Sequence, residues 1–346
     1  MKICELTNER LAKFFEFNQR INPTQPHIVE RLQWQIFDNP RLANAMQPCV
    51  LLATNDQNQL IGQHLHNPME YHWGGKTHCG FFGYDFYVDS AYRGQGIGKA
   101  LAAASDQKFF PHWGLGVAER SKKILLALKN RVVGKLYIFV WLRNPLFPLH
   151  LAKDVLLKSN RRLKKLTQRP FSFPAEVMVG GRRFRLVDSL PQPETDQWPN
   201  DVLRFSRSSD FLQWRFFHPQ HRYAAYVLDD PGATTYLVVR MIRARGLYLL
   251  ALVDYHVPYG NSDRFRLIVQ AAKLLARLTR ADGVFTMSSY QMFDEDLRQE
   301  RFFKRRQPID ILTNAPLVVS PKRIERRQFM VATMADSDLD FYFDFI

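Results

Sequence analysis

Hydrophobic residues in the first 145 positions follow two patterns, a helical spacing in some stretches and short apolar runs in others. Apolar residues three or four apart predict amphipathic helices, and short runs bounded by turn residues predict strands. The predicted helices cover 9–20, 27–38, 98–110 and 121–129, and the predicted strands cover 50–53, 60–65, 79–89 and 132–141. Interleaved helices and strands of this kind are typical of a mixed α/β fold, which is the fold class that we predict.

The second half of the chain repeats this order of elements. The predicted helices are 210–217, 263–280 and 294–304, and the predicted strands are 223–228, 235–242, 247–253, 284–288, 309–313 and 328–334. Residues 30–37 and 210–217 also share a short sequence: both contain Leu-Gln-Trp, and both end on a phenylalanine. The matching order and this short echo favour a duplication, with one domain over 1–145 and a second over 181–346.

Residues 149–166 carry a basic amphipathic pattern. Apolar residues recur there at helical spacing with lysines and arginines between them, and prolines bracket the segment. We predict a basic linker helix within 146–180. Alternatively, the same helix lies on an anionic membrane surface, or it docks on an acidic partner protein.

Composition narrows the class of protein. The 46% hydrophobic content supplies packed cores and excludes a disordered chain, and no apolar run reaches the roughly 20 residues that span a bilayer. The N-terminus is charged and lacks the apolar core of a secretory signal. Three cysteines lie far apart without a C-x-x-C pair, which is typical of core residues in a reduced compartment. We therefore expect a cytoplasmic protein.

The charge balance points to an anionic partner. Lysine and arginine number 48 against 33 acidic residues, which gives a net charge of +15. Nucleic acid, anionic lipid, an acidic carrier protein and a phosphate-rich cofactor all satisfy this charge. The basic runs 304–306 and 322–327 lack interleaved aromatic residues, so nucleic acid is the least favoured of the four.

The segment Arg93-Gly94-Gln95-Gly96-Ile97-Gly98 carries the clearest chemical signal. It joins a predicted strand to a predicted helix, and its glycines let the backbone curl tightly so that amides point into one concavity. Such a turn at a helix N-terminus suits a pyrophosphate. A dinucleotide fold would place its glycines early in a βαβ unit, and a P-loop would require G-x-x-x-x-G-K-[ST], so neither pattern is met.

Residues 88–98 closely resemble the acyl-CoA-binding signature of the GNAT (GCN5-related N-acetyltransferase) superfamily. Its loop, [Q/R]-x-x-G-x-[G/A], is met by Arg93, Gly96 and Gly98. The resemblance implies that the first domain binds acetyl-CoA or another acyl-CoA, that the loop amides hold the pyrophosphate, and that the strand near Val88 bonds pantetheine. The residues implied to contact the cofactor are Val88, Arg93, Gly94, Gln95, Gly96, Ile97, Gly98 and Lys99.

The same resemblance implies the rest of the architecture. Each domain should carry a mixed, mostly antiparallel sheet flanked by helices. The second half resembles a degenerate GNAT domain, because residues 253–262 keep a single glycine, Gly260, where the loop would lie. We expect this half to support or shape the acceptor site rather than to bind a second cofactor.

Acyl transfer to an amine needs a group that accepts a proton and one that protonates the leaving thiolate. The resemblance places Asp85 near the catalytic position, with Tyr84 beside it. Strict alternation puts Tyr84, Phe86 and Val88 on one face of the strand and Asp85 on the other, unless a bulge changes the phase. The tyrosine that often serves as the acid in the last helix of the family is missing from 121–129, so Tyr137 on the next strand is its candidate replacement.

The acceptor is not encoded in any recognisable motif. We expect an amine on a small molecule or a saccharide, bound between the domains near Trp214, Arg215 and His218. Attack on the thioester would be direct, because no cysteine or serine stands in a recognisable nucleophile–base pattern. Two alternatives stay open: an acyl carrier protein as the donor, and a non-catalytic acyl-CoA sensor or scaffold.

Two further clusters suggest weaker chemistry. His64 and His66 share one face of a strand, with His72 and His78 nearby, but no cysteine or acid joins them at a telling spacing, so we predict no metal site. Aspartates at 336, 338, 340 and 344 would attract a cationic acceptor, although a solvated acidic tail is the favoured interpretation.

Overall fold

A computed structural model describes residues 1–25, 27–44, 48–143, 171–193, 198–218, 222–230, 232–244, 247–337 and 344–345. The chain separates into two compact units. Unit 1 comprises Met1–Lys135, Leu203–Ser206 and Ile309–Ile324, and unit 2 comprises Leu136–Val202, Arg207–Pro308 and Glu325–Ile346. Two short later segments therefore belong to unit 1, which the sequence did not anticipate. The assignment of domains to 1–145 and 181–346 stays a prediction.

Unit 1 is built on one mostly antiparallel sheet. Its strands are β1 (Lys2–Glu5), β2 (Val50–Thr54), β3 (Leu60–Trp73), β4 (Lys76–Val88), β5 (His112–Leu115), β9 (Leu203–Phe205) and β15 (Ile309–Thr313). They pair in the order β1-β2-β3-β4-β5-β15, and only the β4–β5 pair is parallel in this series. The strand β9 pairs with the distal end of β3.

The helices of unit 1 cover this sheet. They are α1 (Leu11–Ile21), α2 (Ile28–Phe37), α3 (Ile97–Lys108) and α4 (Glu119–Ala127). Side-chain amides of Asn18 and Gln63 exchange two hydrogen bonds of 2.9 Å, which fix α1 to β3. Ile97 and Leu101 of α3 pack with apolar residues of β2 and β3 in one core cluster. The four predicted helices and the strands at 50–53 and 79–89 are thus confirmed to within a few residues. The strand predicted at 60–65 continues to Trp73, and β1 and β5 were not predicted.

Unit 2 has its own sheet. Its strands are the second part of β6 (Arg131–Leu142), β7 (Glu176–Val179), β8 (Arg182–Val187), β10 (Tyr223–Leu228), β11 (Tyr236–Ala244), β12 (Leu247–His256), β13 (Gly283–Ser288), β14 (Phe303–Lys304), β16 (Met330–Val331) and β17 (Asp344–Phe345). Strands pair in the order β7-β8-β10-β11-β12-β13-β6, and the β12–β13 pair is parallel.

The helices of unit 2 repeat the arrangement of unit 1. They are α5 (Ser209–Phe216), α6 (Ser262–Leu278) and α7 (Gln291–Gln299). A short helix α8, Pro321–Glu325, belongs to unit 1 up to Ile324. In each unit three antiparallel strands lead into a helix and then a strand parallel to the third. The mixed α/β fold with mostly antiparallel sheets is confirmed.

Other predictions of the sequence meet mixed outcomes. The linker helix at 149–166 lies outside the described residues, while Glu176–Val179 is the strand β7. All three cysteines are free thiols, but only Cys49 is buried, so the prediction of three core cysteines was wrong for Cys4 and Cys79. Within the described ranges, no helix is long and apolar enough to cross a membrane.

Candidate functional site

The segment between β4 and α3 is held by local hydrogen bonds. Asp89 caps a short 3-10 helix at Ser90–Tyr92, where its side chain accepts from the Ala91 amide at 3.1 Å. The Arg93 Nε donates to the Val88 carbonyl at 3.0 Å, and its guanidinium lies over the Tyr87 ring. The predicted cofactor residue Arg93 therefore braces the base of the loop as well as adding positive charge to it.

Two of the loop glycines adopt left-handed backbone angles. Gly94 has φ +86° and Gly96 has φ +79°, in the region that L side chains rarely adopt, and nothing lies within 4 Å of a Cβ placed on either. Gly96 is the N-cap of α3, and no side chain caps that terminus. The first amides of α3, from Ile97 to Lys99, thus face the exposed loop without an acceptor from the helix, as an anion site requires.

The third glycine serves packing instead. A Cβ on Gly98 would lie 3.2 Å from Cδ1 of Ile124 and 3.7 Å from the Phe86 ring. Gly98 therefore lets α3 approach α4 and β4 closely, and this fixes the direction of the helix axis behind the loop.

The edge of β4 is open beside this loop. The parallel pairing of β4 with β5 covers only Phe81–His112 and Phe82–Trp113. Beyond that point β5 continues along β15, where Leu115 pairs with Ile311, while β4 runs on to Val88. The two strands separate, and no strand among the described residues pairs with β4 from Gly83 to Val88 on that side.

A β-bulge places Asp85 at the centre of this open segment. Gln63 pairs with Tyr87 and Leu65 pairs with Tyr84, so two residues of β4 oppose His64 alone. Asp85 has φ +44°, and its Oδ2 accepts from Nη2 of Arg31 at 2.8 Å. Both side chains are about nine-tenths buried, so the carboxylate of the predicted catalytic residue Asp85 sits in a buried ion pair with α2.

The bulge also corrects the predicted alternation. Phe86 stacks on His64, on the face covered by α3, whereas Asp85 reaches Arg31 on the opposite face. Leu65 points away from the α3 face because it follows His64, and Tyr84, its cross-strand partner, shares that direction. Tyr84 therefore lies on the same side as Asp85, not on the side of Phe86, because the extra residue shifts the phase.

Comparison with known families decides the identity of this region. A sequence model of the Acetyltransferase (GNAT) family matches residues 9–121. Residues 9–121 form a GNAT domain. None of the curated proteins compared matches this sequence.

Solved structures share the fold of the GNAT domain and of the rest of the chain. A GCN5-related N-acetyltransferase from Anabaena variabilis aligns with a TM-score of 0.57 at 12% identity, over 90% of this chain and 72% of that one. A probable N-acyltransferase from Enterococcus faecalis gives 0.56 at 11%, over 90% and 71%. Saccharomyces cerevisiae N-myristoyltransferase with bound myristoyl-CoA gives 0.55 at 12%, over 94% and 87%. At these identities the likeness establishes the fold.

The predicted acid Tyr137 lies outside the GNAT domain, on the part of β6 in unit 2. Nζ of Lys304 is 3.3 Å from its ring centroid, and the Arg327 guanidinium is 4.6 Å away. Both cations also pair with the buried carboxylate of Asp294. Tyr137 is thus held between two cations, and its role as the acid stays a prediction.

The predicted acceptor residues belong to α5 and the residues after it. Arg215 is buried, and its guanidinium donates to the Tyr223 hydroxyl at 2.5 Å and to the Ser337 carbonyl at 3.3 Å. Trp214 is half-buried beside the Phe211 ring, and His218 is half-buried two residues beyond the helix. Arg215 is committed to internal contacts, whereas a substrate role of Trp214 and His218 stays a prediction.

Asp336 is not part of a solvated tail, so that interpretation was wrong for this residue. Its side chain is buried, and its Oδ1 accepts from Arg207 Nη1 at 2.6 Å. Arg207 also binds both carboxylate oxygens of Asp254, at 2.9 and 3.0 Å. Of the other aspartates, 338 and 340 lie outside the described residues.

Arg31 is the residue of the site that the sequence did not reveal. Its charge falls within the helical pattern of 27–38, where it looks like one more polar position. Its partner Asp85 lies far along the chain, and only the packing of α2 on the sheet brings the two together.

Proposed function

We propose that the protein is an acyl-CoA-dependent N-acyltransferase that transfers its acyl group, acetyl in the simplest case, directly to an amine. One observation carries the proposal: the uncapped N-terminus of α3, preceded by the left-handed Gly94 and Gly96, stands next to the unpaired edge of β4. The helix N-terminus suits a pyrophosphate, and the open strand edge beside it suits the amide-bearing pantetheine arm that follows the pyrophosphate in CoA.

The cofactor would lie along this surface. The amides of Ile97, Gly98 and Lys99 would hold the pyrophosphate, and the exposed Lys99 side chain would add positive charge. The two amides of pantetheine would bond the backbone of β4 between Gly83 and Val88. The thioester would then reach the bulge at Asp85.

The reaction at this place would be a direct substitution. The neutral amine would attack the thioester carbon, a C–N bond would form, and the C–S bond would break with release of the thiolate. Asp85 would accept the amine proton or hold a water that does, and a second group would protonate the thiolate. The hydrogen-bonded Ser105 and His64 are both fully buried, which disfavours an acyl-serine route.

The length of the acyl group and the nature of the donor are separate questions. The similarity to an N-myristoyltransferase that binds myristoyl-CoA supports testing long acyl chains beside acetyl. The net charge of +15 supports an acidic acyl carrier protein as the alternative donor. The absence of a tyrosine from the α4 sequence supports the second alternative, a sensor that binds acyl-CoA without turnover.

Thiol release distinguishes these candidates. The purified chain is incubated with acetyl-CoA, with longer acyl-CoAs up to myristoyl-CoA and with acyl carrier protein, each with a panel of small-molecule and amino-sugar amines. Release of free thiol that depends on both acyl-CoA and an amine supports the proposal. Turnover with acyl carrier protein alone favours that donor, and calorimetric binding of acyl-CoA without thiol release from any amine favours the sensor.

A further inference from the structure

Three histidines converge between the sheet of unit 1 and α3. His64 and His66 are alternate residues of β3 and so point to the same face, and His112 begins β5. All three side chains are 1–2% exposed. One ring nitrogen from each lies within 4.8 Å of the other two, and no other described residue joins this group.

Hydrogen bonds fix the tautomer of the first histidine. The Ser105 hydroxyl donates to the Leu101 carbonyl at 2.9 Å, and its oxygen lies 2.8 Å from Nδ1 of His64. A hydroxyl has one proton, so Nδ1 of His64 must carry a hydrogen and donate it to Ser105. Nε2 of His64 therefore has a free lone pair.

The lone pair faces the interior of the cluster. A Cβ built on Gly83 would lie 3.0 Å from Nε2 of His64 and would overlap Nε2 of His112. The two nitrogens therefore approach the same point beside β4. The strand register places Gly83 directly opposite His66. Any side chain at this position would overlap the imidazoles, so only glycine leaves room for them.

The other two rings are not satisfied by the protein. Neither ring nitrogen of His66 or His112 makes a hydrogen bond to any part of the chain that the structure describes. A buried polar atom without a partner destabilises the fold, so several of them in contact call for an occupant. Burial lowers the pKa of His112 to about 4, and burial with neighbouring imidazoles lowers those of His64 and His66 well below the usual value.

A carboxylate stands behind the cluster. Oδ1 of Asp106 lies 3.8 Å from Nδ1 of His112, and the Asn314 amide donates to that oxygen at 3.1 Å. A carboxylate at this nitrogen favours the tautomer that leaves Nε2 of His112 unprotonated and directed at His64. It also supplies negative charge next to the point where the nitrogens meet, as outer partners of metal-binding histidines do.

We propose that His64, His66 and His112 bind a first-row transition metal ion, with Zn²⁺ as the best fit, in a buried site that joins β3 to β5. Three neutral imidazoles are a ligand set that zinc accepts, with a water in the fourth position. The ring centroids lie 4.2–5.4 Å apart, so small rotations of the rings bring their nitrogens to the required distance of about 2.0–2.1 Å from an ion. A bound water in the same place is the competing occupant.

Metal content of the full chain tests the site. The protein is produced without a polyhistidine tag, dialysed against a chelator and titrated with Zn²⁺ in competition with a chromophoric chelator, and bound zinc is counted by mass spectrometry. One equivalent per chain is expected. Co²⁺ should give visible d–d bands without a thiolate charge-transfer band, because the set contains no cysteine. Less than a tenth of an equivalent, on the order of background, would leave water as the occupant and overturn the proposal.

Variants assign the metal to these residues. His66→Gln and His112→Gln should remove the stoichiometric zinc, while His72→Gln, on the same strand but outside the cluster, should keep it. Ser105→Ala keeps all three ligands but loses the bond that orients His64, so zinc affinity should fall by about 10–100-fold. If a ligand variant does not fold, the zinc affinity of Ser105→Ala and the Co²⁺ spectrum of the unaltered protein test the site instead. Unchanged affinity in Ser105→Ala and in whichever ligand variants fold would refute the assignment.

Discussion

Arg31 of α2 and Asp85 of β4 form an ion pair with 2.8 Å between Nη2 and Oδ2, and their side chains are 8% and 10% exposed. The pair lies where the bulge turns the strand, so one contact fixes both the position of the proposed catalytic carboxylate and the packing of α2 on the sheet. A residue in such a contact is expected to affect both stability and turnover, and the two effects need separation.

We predict that Asp85→Asn lowers turnover by about 100-fold or more, as expected when a group that assists proton transfer is removed. It also removes the carboxylate charge from the buried pair with Arg31, a change that costs about 3–5 kcal/mol when a buried pair is broken. Steady-state thiol release and denaturant unfolding measure the two effects, and acyl-CoA affinity should stay within a few-fold of the parent.

The double variant with Arg31→Met separates structure from catalysis. Removing both charges should restore most of the lost stability, because no uncompensated charge remains. Turnover should stay low if Asp85 acts on the reacting groups. Recovery of turnover together with stability would mean that Asp85 serves only to position α2.

Gly96→Glu should abolish acyl-CoA binding. The substitution places a side chain and a negative charge where the α3 amides would hold the pyrophosphate, and it forces a left-handed angle at a cost of about 1–2 kcal/mol. Gly74→Glu is the matched control, because Gly74 also has a left-handed angle and open space but lies in the β3–β4 turn. Calorimetry should show lost binding only in the first variant. Equal affinity of two folded variants would argue against the loop as the cofactor site.

Arg207→Met should strongly destabilise unit 2. Arg207 bonds both oxygens of Asp254 and one of Asp336, and both carboxylates are fully buried. With methionine in place of the arginine, the two buried carboxylates lose this cation, which should lower the free energy of unfolding by about 3–5 kcal/mol. Arg183→Met, which breaks the exposed pair with Asp229, should change the stability little, because water screens that pair. Similar unfolding midpoints for the two variants would contradict the view that the buried network stabilises the unit.

Glu300→Gln should lower stability at neutral pH but not in acid. Burial alone would raise the pKa of Glu300, but hydrogen bonds from Gln270 and Lys273 outweigh it and hold the pKa below the usual value. A lowered folded-state pKa stabilises the protein above the unfolded-state value of about 4.5, and this contribution is lost as the pH falls below it. We expect a loss of up to about 1 kcal/mol at pH 7 that shrinks toward zero in acid.

The control for this pH dependence is Glu295→Gln, at an exposed position of α7. Unfolding free energies of both variants and the parent are measured at several pH values from neutral to acid. A difference between Glu300→Gln and the parent that stays constant with pH would show that the carboxylate charge does not supply the effect.

The sequence by itself determined the helices of unit 1 and the conformation of the glycine-rich loop, because both arise from interactions between near neighbours in the chain. Periodicity placed α1 to α4, β2 and β4 within a few residues, because a helix or strand that buries one face spaces its apolar side chains accordingly. It missed β5 and the second half of β3. Gly94 and Gly96 stand where the backbone needs left-handed angles, and this requirement is local.

The tertiary structure alone decided which distant side chains meet. A strand at 309–313 was predicted, but only the fold pairs it with β5 in unit 1. Arg31 joins Asp85, Arg207 joins Asp336, and His112 joins His64 and His66 across separations that carry no local pattern. Desolvation makes such contacts matter, because a charge or an imidazole removed from water needs a partner that only packing can bring to it.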